Sequence, residues 1–378
     1  MNGTIDAGLQ GVVAAGTRLS EIDGEVGELV IAGYALEDLA AQATYEEVLY
    51  LLWNDALPNA AQLRDFKAQL GSSRTISGVI VEVLREAAAE SLDMMDALRM
   101  GAGMLSLGLK DKDDLHEPAV QVVAAIPTII AAYWRLLNDA EPIAPRGDLG
   151  HAANYLYMIN GVEPSEAQVR ALNTYLNTVI DHGLNASTFT ARVIISTRSD
   201  MISAVVGAIG ALKGPLHGGA PGPALDMVLE IGRPERAEAD IRRRLERGER
   251  LMGFGHRVYR VRDPRADVLN AAAALFFKDG DQADLYALVR HVEDVALRLL
   301  REHRPDRKIE TNVEFYTALV LHGIGLANAM FSPTFAVGRV GGWVAHAFEQ
   351  VATGRIIRPA SVYVGERDRV WMPLDARG

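Results

Sequence analysis

The 378-residue sequence predicts an all-α fold carrying one small N-terminal β-hairpin, and three observations lead there. Apolar residues recur at helical spacing over most of the chain. Proline, glycine and capping residues punctuate that pattern at helix-length intervals. The exception is "TRLSEIDGEVGELVIAGY", where Asp23-Gly24 sits between β-prone runs and predicts the hairpin. The length exceeds what one simple core needs, so a large domain with a smaller companion is expected.

The elements follow in order. "TYEEVLYLLW" opens with a capping box at Thr44 and Glu47, and Pro58 separates it from the next helix. Ala119 to Trp134 is the most apolar long stretch; it contains Gln121 and Pro127, is too short to span a bilayer, and reads as a buried helix. "SEAQVRALNTYLNTVI" puts Val169, Leu172, Leu176 and Ile180 on one face and stops at Asp181-His182-Gly183, with the glycine as C-cap. "ASTFTARVIISTRSD" and "MISAVVGAIGALK" read as two more buried helices, the second ended by Lys213-Gly214-Pro215. "PTFAVGRVGGWVAHAFEQ" reads as a helix with Ser332 as N-cap and Pro333 at its first position. The tail "RIIRPASVYVG" reads as extended. Residues 232 to 310 are richer in charge than their flanks, which marks a domain boundary.

Composition excludes several classes. With a net charge of −11 the chain is no general nucleic-acid binder, and a polyanionic ligand must meet a local basic patch. There is no cysteine, hence no disulfide, thiolate nucleophile or thiolate metal site. "MNGTIDAGLQ" lacks the basic start and apolar core of a signal peptide, so a cytoplasmic protein is expected.

Three of the nine histidines, His182, His217 and His256, sit beside glycine at breaks between helices, where backbone approach is close. None has the spacing of a metal site. "GPLHGGAPGPAL" holds His217 between a helix end and a helix start, with Pro223 in the new first turn. An imidazole near a helix N-terminus stays neutral and can donate to a developing enolate oxygen. In "MGFGHRVYRVRDPRADVL", Asp263 reads as N-cap and Pro264 as the first helical residue. Arg265 then falls in the first turn, against the helix dipole, which suggests a bound anion. Arg257, Arg260 and Arg262 crowd the same segment. Arg339 lies on a helix otherwise fit for burial and needs an internal or ligand carboxylate; Arg358 precedes Pro359 in the tail. Glu314, within "TNVEFYTALVLHG", reads either as the far end of a capping box with Thr311 or as a base held in an apolar setting.

"DHGLNAST", "GPLHGGA", "MGFGHRVY", "DPRA", "NVEFY", "GRVGGWVAH" and "RIIRP" stand in the order and spacing of citrate synthases, and "GLQGVVAAGTRLSEIDGEVGELVIAGY" and "YEEVLYLLW" resemble that family too. The resemblance implies a two-domain helical homodimer, with residues 1–216 and 321–378 as the large domain and 217–320 as the small one. It implies condensation of oxaloacetate with acetyl-CoA, which is a co-substrate; no permanent cofactor or metal is implied. By resemblance Glu314 is the base, His217 the enolate donor and His256 the group that polarises the ketone. His182, Arg265, Arg339 and Arg358 would hold oxaloacetate, the last from the partner subunit. Leu251, Gly253, Gly255, Arg257, Arg260 and Lys308 are the candidates around CoA. The chain departs from the family in four places: Glu314 replaces the usual Asp, "GGAPG" replaces "GGANE", Ala360 replaces the second arginine of "RPR", and Gly183 replaces a common glutamate. Two alternatives remain open: a 2-methylcitrate synthase using propionyl-CoA, and a non-catalytic homologue that binds CoA or a dicarboxylate.

Overall fold

A computed structural model describes residues 8–9, 11–108, 114–217, 221–256, 258–278 and 283–377. Among them are sixteen α-helices and one three-stranded antiparallel sheet, as the helical periodicity predicts.

The hairpin forms where Asp23-Gly24 predicts it. β1 (Ser20–Asp23) pairs with β2 (Glu28–Ile31), and a short β3 (Tyr34–Ala35) is added on the far side of β2. The Asp23 carboxylate accepts the Glu25 and Val26 amides at 2.9 and 3.1 Å, which closes the turn. Leu29 and Ile31 point into the core. The hairpin tip touches a segment far along the chain. A Cβ on Gly24 would lie 2.4 Å from the Val258 carbonyl oxygen, and the Gly24 carbonyl accepts the Arg260 amide at 2.7 Å. Only glycine fits so close an approach.

The core is built around the His116–Leu137 helix, buried from Pro118 to Tyr133 apart from Gln121, with Pro127 inside it. It is long and apolar enough to cross a membrane, yet 78% of its most apolar window is buried inside the protein. Against it packs the Phe331–Thr353 helix, with Trp343 fully buried. That helix begins earlier than Ser332 and Pro333 predict. A 3₁₀ turn, Asn328–Met330, runs straight into it, so Met330 is the cap and Pro333 is the third helical residue. The missing N–H of a first-turn proline makes this harmless. The Glu166–Val179 helix ends at Ile180, and Gly183, at φ +56°, turns the chain beyond that end instead of capping it. The tail after Gly354 joins no strand and is exposed apart from Ile357; it runs extended to a last 3₁₀ turn at Leu374–Ala376.

Candidate active site

Most of the candidate residues gather at helix ends. His182 follows the Glu166–Val179 helix, and its position is fixed from behind by Asp181. Asp181 is wholly buried, accepting the Ser20 hydroxyl at 2.5 Å and His346 Nε2–H at 3.0 Å. Burial raises its carboxyl, but His346 and these hydrogen bonds outweigh that and hold it below the usual carboxylate range. The Phe331–Thr353 helix presses on the same segment: a Cβ on Gly342 would lie 2.1 Å from the Ile180 carbonyl oxygen. Gly342→Ala is therefore expected to lower stability by about 1–3 kcal/mol and, by displacing His182, to weaken anion binding. Thermal unfolding and titration with oxaloacetate check the two effects.

His182 Nε2 lies 3.1 Å from the Tyr259 hydroxyl, and the His182 ring meets the His256 ring edge-on at 5.9 Å. Burial, then Arg265, Arg339 and His256, push its pKa well below the ordinary imidazole value, so it is neutral. His256 has a defined tautomer. Its Nδ1 faces the Val258 and Tyr259 amides at 3.0 and 3.1 Å. Amides only donate, so Nδ1 accepts and the proton of the neutral ring sits on Nε2. The neighbour of Nε2 is Arg265 Nη2 at 3.2 Å, itself a donor. The Nε2 proton has no acceptor among the described residues. Burial and Arg265 lower the His256 pKa to about 4.

Arg265 is 4% exposed and paired with its own N-cap. Its Nε and Nη2 donate to the two Asp263 oxygens at 3.0 and 2.9 Å. The anion predicted from its first-turn position is therefore internal, at least in part. Asp263 Oδ2 also accepts the Val313 amide at 3.1 Å, which joins this helix start to that of Glu314.

The capping-box reading of Glu314 does not hold. Asn312 is the N-cap of the Val313–Gly323 helix, and its side chain accepts the Glu314 amide at 3.0 Å. The Thr311 hydroxyl donates to Glu293 at 2.6 Å. Asparagine caps at least as well as threonine, and Thr311 has a buried carboxylate to serve. The Glu314 carboxylate is released from the backbone and makes no hydrogen bond or ion pair among the described residues. Burial raises its pKa to about 7, against the opposing pull of Arg265 and Arg339.

The segment expected around CoA buttresses this helix start. Leu251 is 4% exposed. Gly253, at φ +87°, packs against Phe315 and accepts the Asn312 amide at 2.9 Å. Gly255, at φ +80°, accepts from Asn312 Nδ2 at 2.8 Å. Arg260 and Lys308 are exposed, and Arg257 lies outside the described residues.

His217 Nε2 is 2.8 Å from the Ser187 hydroxyl and 3.4 Å from the Ser187 amide. The amide contact makes Nε2 an acceptor, so Nδ1 carries the proton. Trp343 Nε1–H donates to the same hydroxyl at 3.0 Å, and Asn185 Oδ1 shares its proton at 2.8 Å. Burial and Arg339 bring His217 down to about 4. Ser187 and Tyr259 were not singled out from the sequence. Both lie inside quoted motifs, "DHGLNAST" and "MGFGHRVY", but nothing in residue type or spacing distinguished them from structural neighbours.

Arg339 is 1% exposed. Its Nε donates to the Val179 carbonyl and its guanidinium lies 4.6 Å from the Phe335 ring centre. No carboxylate among the described residues lies within ion-pair distance, and burial brings its pKa down to about 10. Arg358 is exposed in the tail and makes no hydrogen bond or ion pair with these side chains.

Three neutral histidines, a carboxyl with a pKa of about 7 and a buried arginine with no ion pair among the described residues thus gather on an all-helical scaffold. A family model for the citrate synthase C-terminal domain matches residues 8–360. A citrate synthase of Haloferax volcanii is 40% identical, covering 100% of both chains. A 2-methylcitrate synthase of Mycobacterium tuberculosis is 37% identical over 97% of this chain and 92% of its own. The Thermoplasma acidophilum citrate synthase, solved as a ternary complex with carboxymethyl coenzyme A and oxaloacetate, superposes with a TM-score of 0.89, at 32% identity, over 99% of this chain and 100% of that one. The chain belongs to the citrate synthase family, and it is an acyltransferase of that type.

Proposed function

We propose that the cleft condenses acetyl-CoA with oxaloacetate and water to give citrate and CoA, with residues 217–320 forming a small lobe that closes on a large one. Glu314 takes a proton from the α-carbon of the thioester, and His217 Nδ1–H stabilises the enolate oxygen. That carbon attacks the oxaloacetate ketone, whose oxygen accepts the His256 Nε2 proton. Water then cleaves the thioester and CoA leaves as the thiol. His182, Arg339 and Arg265 hold the oxaloacetate carboxylates, and Arg358 reaches the site of a partner subunit. Arg260, Lys308 and Arg257 are left for the CoA phosphates, the glycines of that loop acting through its backbone.

The observation that carries this reading is Arg339, a buried cation with no ion pair among the described residues, near Glu314 at a pKa of about 7 and two neutral histidines. It also weighs against a purely binding homologue, which has no use for a poised base. The relative named a 2-methylcitrate synthase favours propionyl-CoA as a second reading. One methylene is worth about 1–3 kcal/mol in a pocket. Thiol release in the presence of oxaloacetate is expected, with a higher kcat/KM for acetyl-CoA than for propionyl-CoA. The reverse ratio replaces the first reading by the second, and no thiol release removes both. The one helix long and apolar enough to span a membrane among the described residues, His116–Leu137, is mostly buried in the core, which supports a cytoplasmic enzyme.

A further inference from the structure

We propose that the Tyr175 hydroxyl is the positioning donor of the Glu314 carboxylate, engaged when substrates fill the cleft; this rests on the reading of Glu314 as the base. Tyr175 is fully buried on the Glu166–Val179 helix, and its hydroxyl has no hydrogen-bond partner among the described residues. Buried phenols ordinarily find one, and the others here do. Tyr45 donates to Val337 and Gly338 carbonyls, Tyr133 to Leu92, and Tyr316 to Glu293, while Tyr155 pairs with Thr334.

The place of the orphan is informative. Tyr175 lies one turn before Val179, so the two share a helix face. The Val179 carbonyl is where Arg339 is tied. The charged groups that act on the Tyr175 oxygen are Glu314, from the Val313–Gly323 helix, and Arg339, from the Phe331–Thr353 helix; the remaining neighbour is the Tyr155 phenol. Glu314 in turn faces Arg265 and Asp263 at the start of the Pro264–Phe277 helix, and Arg339. Arg265 Nε and Nη2 are committed to Asp263 and Arg339 Nε to Val179. A donor without an acceptor and a carboxylate without a donor thus share one neighbourhood, on two helices that touch.

A base works through one oxygen and benefits from an anchor on the other. Glutamate has one more torsion to immobilise than aspartate, so the need is greater here. The competing account is a phenol kept only as core filler, in which case its oxygen is silent.

Tyr175→Phe removes that oxygen and breaks no native hydrogen bond, so thermal stability is expected to be undiminished. Using acetyl-CoA and oxaloacetate, kcat is expected to fall about tenfold. The acid limb of kcat, which reports the substrate complex, is expected to move to higher pH because the ionised carboxylate loses a donor. The acid limb of kcat/KM, which reports the free enzyme where the hydroxyl is unpartnered, is expected to stay. A variant with kcat and its acid limb as in wild type, while Glu314→Gln is inactive, overturns the Tyr175 proposal alone. So does a lower kcat with both limbs unmoved, since that is a loss of packing. An active Glu314→Gln removes the base reading and this proposal with it.

Discussion

Glu314→Gln is expected to lower kcat by about 10²–10⁴-fold, the contribution of a positioned general base, while oxaloacetate affinity by calorimetry stays near wild type. The amide is isosteric and cannot accept the α-proton. It also disturbs little, because among the described residues the carboxylate makes no bond that an amide would break. The same residue sets a pH dependence. A base must be ionised to act, and Glu314 in the unliganded cleft has a pKa of about 7. The kcat/KM of the wild type should therefore rise as pH passes through about 7 and level off above it. His217 and His256, both near 4, remain neutral throughout that window and add no limb of their own. Retained turnover in the glutamine variant would take Glu314 out of the chemistry.

Arg339→Met is expected to separate stability from binding. Methionine fills a comparable apolar volume without a charge. Oxaloacetate binding should weaken by about 2–5 kcal/mol, or roughly 30- to 4,000-fold, as for truncation of one partner of a buried charge pair. Folding should not suffer in proportion. Arginine has its pKa lowered to about 10 by burial. A base whose folded pKa lies below its unfolded value makes its charged form costly in the fold, and that cost persists at every pH where the group is charged. Removing it offsets the loss of the hydrogen bond to Val179. The expected result is a thermal midpoint at or above wild type with oxaloacetate binding nearly gone. A midpoint several degrees lower with affinity intact would make Arg339 a structural residue.

The sequence was most legible where one residue has one local task. Asp263 and Pro264 begin their helix as read, and the residue types around Thr44 and Glu47 give the capping box expected of them. It misled where two candidates compete. Thr311 and Asn312 stand side by side, and only the distant Glu293 shows that the threonine hydroxyl is already engaged. Ser332 and Pro333 look like a helix start because the 3₁₀ turn before them leaves no composition signal. Arg265 was read toward an external anion, but an N-cap that doubles as counter-ion cannot be distinguished from an ordinary cap in sequence. Burial of Arg339 was readable from its apolar neighbours, whereas its lack of an ion pair among the described residues was not. Tyr175 gives no signal at all, since an aromatic at helical spacing looks like core.

The contact between the hairpin tip and the loop after His256 bears on how the molecule comes to be. The hairpin is made early in synthesis, and the loop it locks is made late. Gly24 and Arg260 meet only by closing a very long stretch of chain, and such closures form slowly relative to local helices. The geometry that gives His256 its proton on Nε2 depends on the loop amides of Val258 and Tyr259, next to that lock. A nascent or refolding chain should therefore reach native helix content before it gains catalytic competence, and activity should report the end of folding.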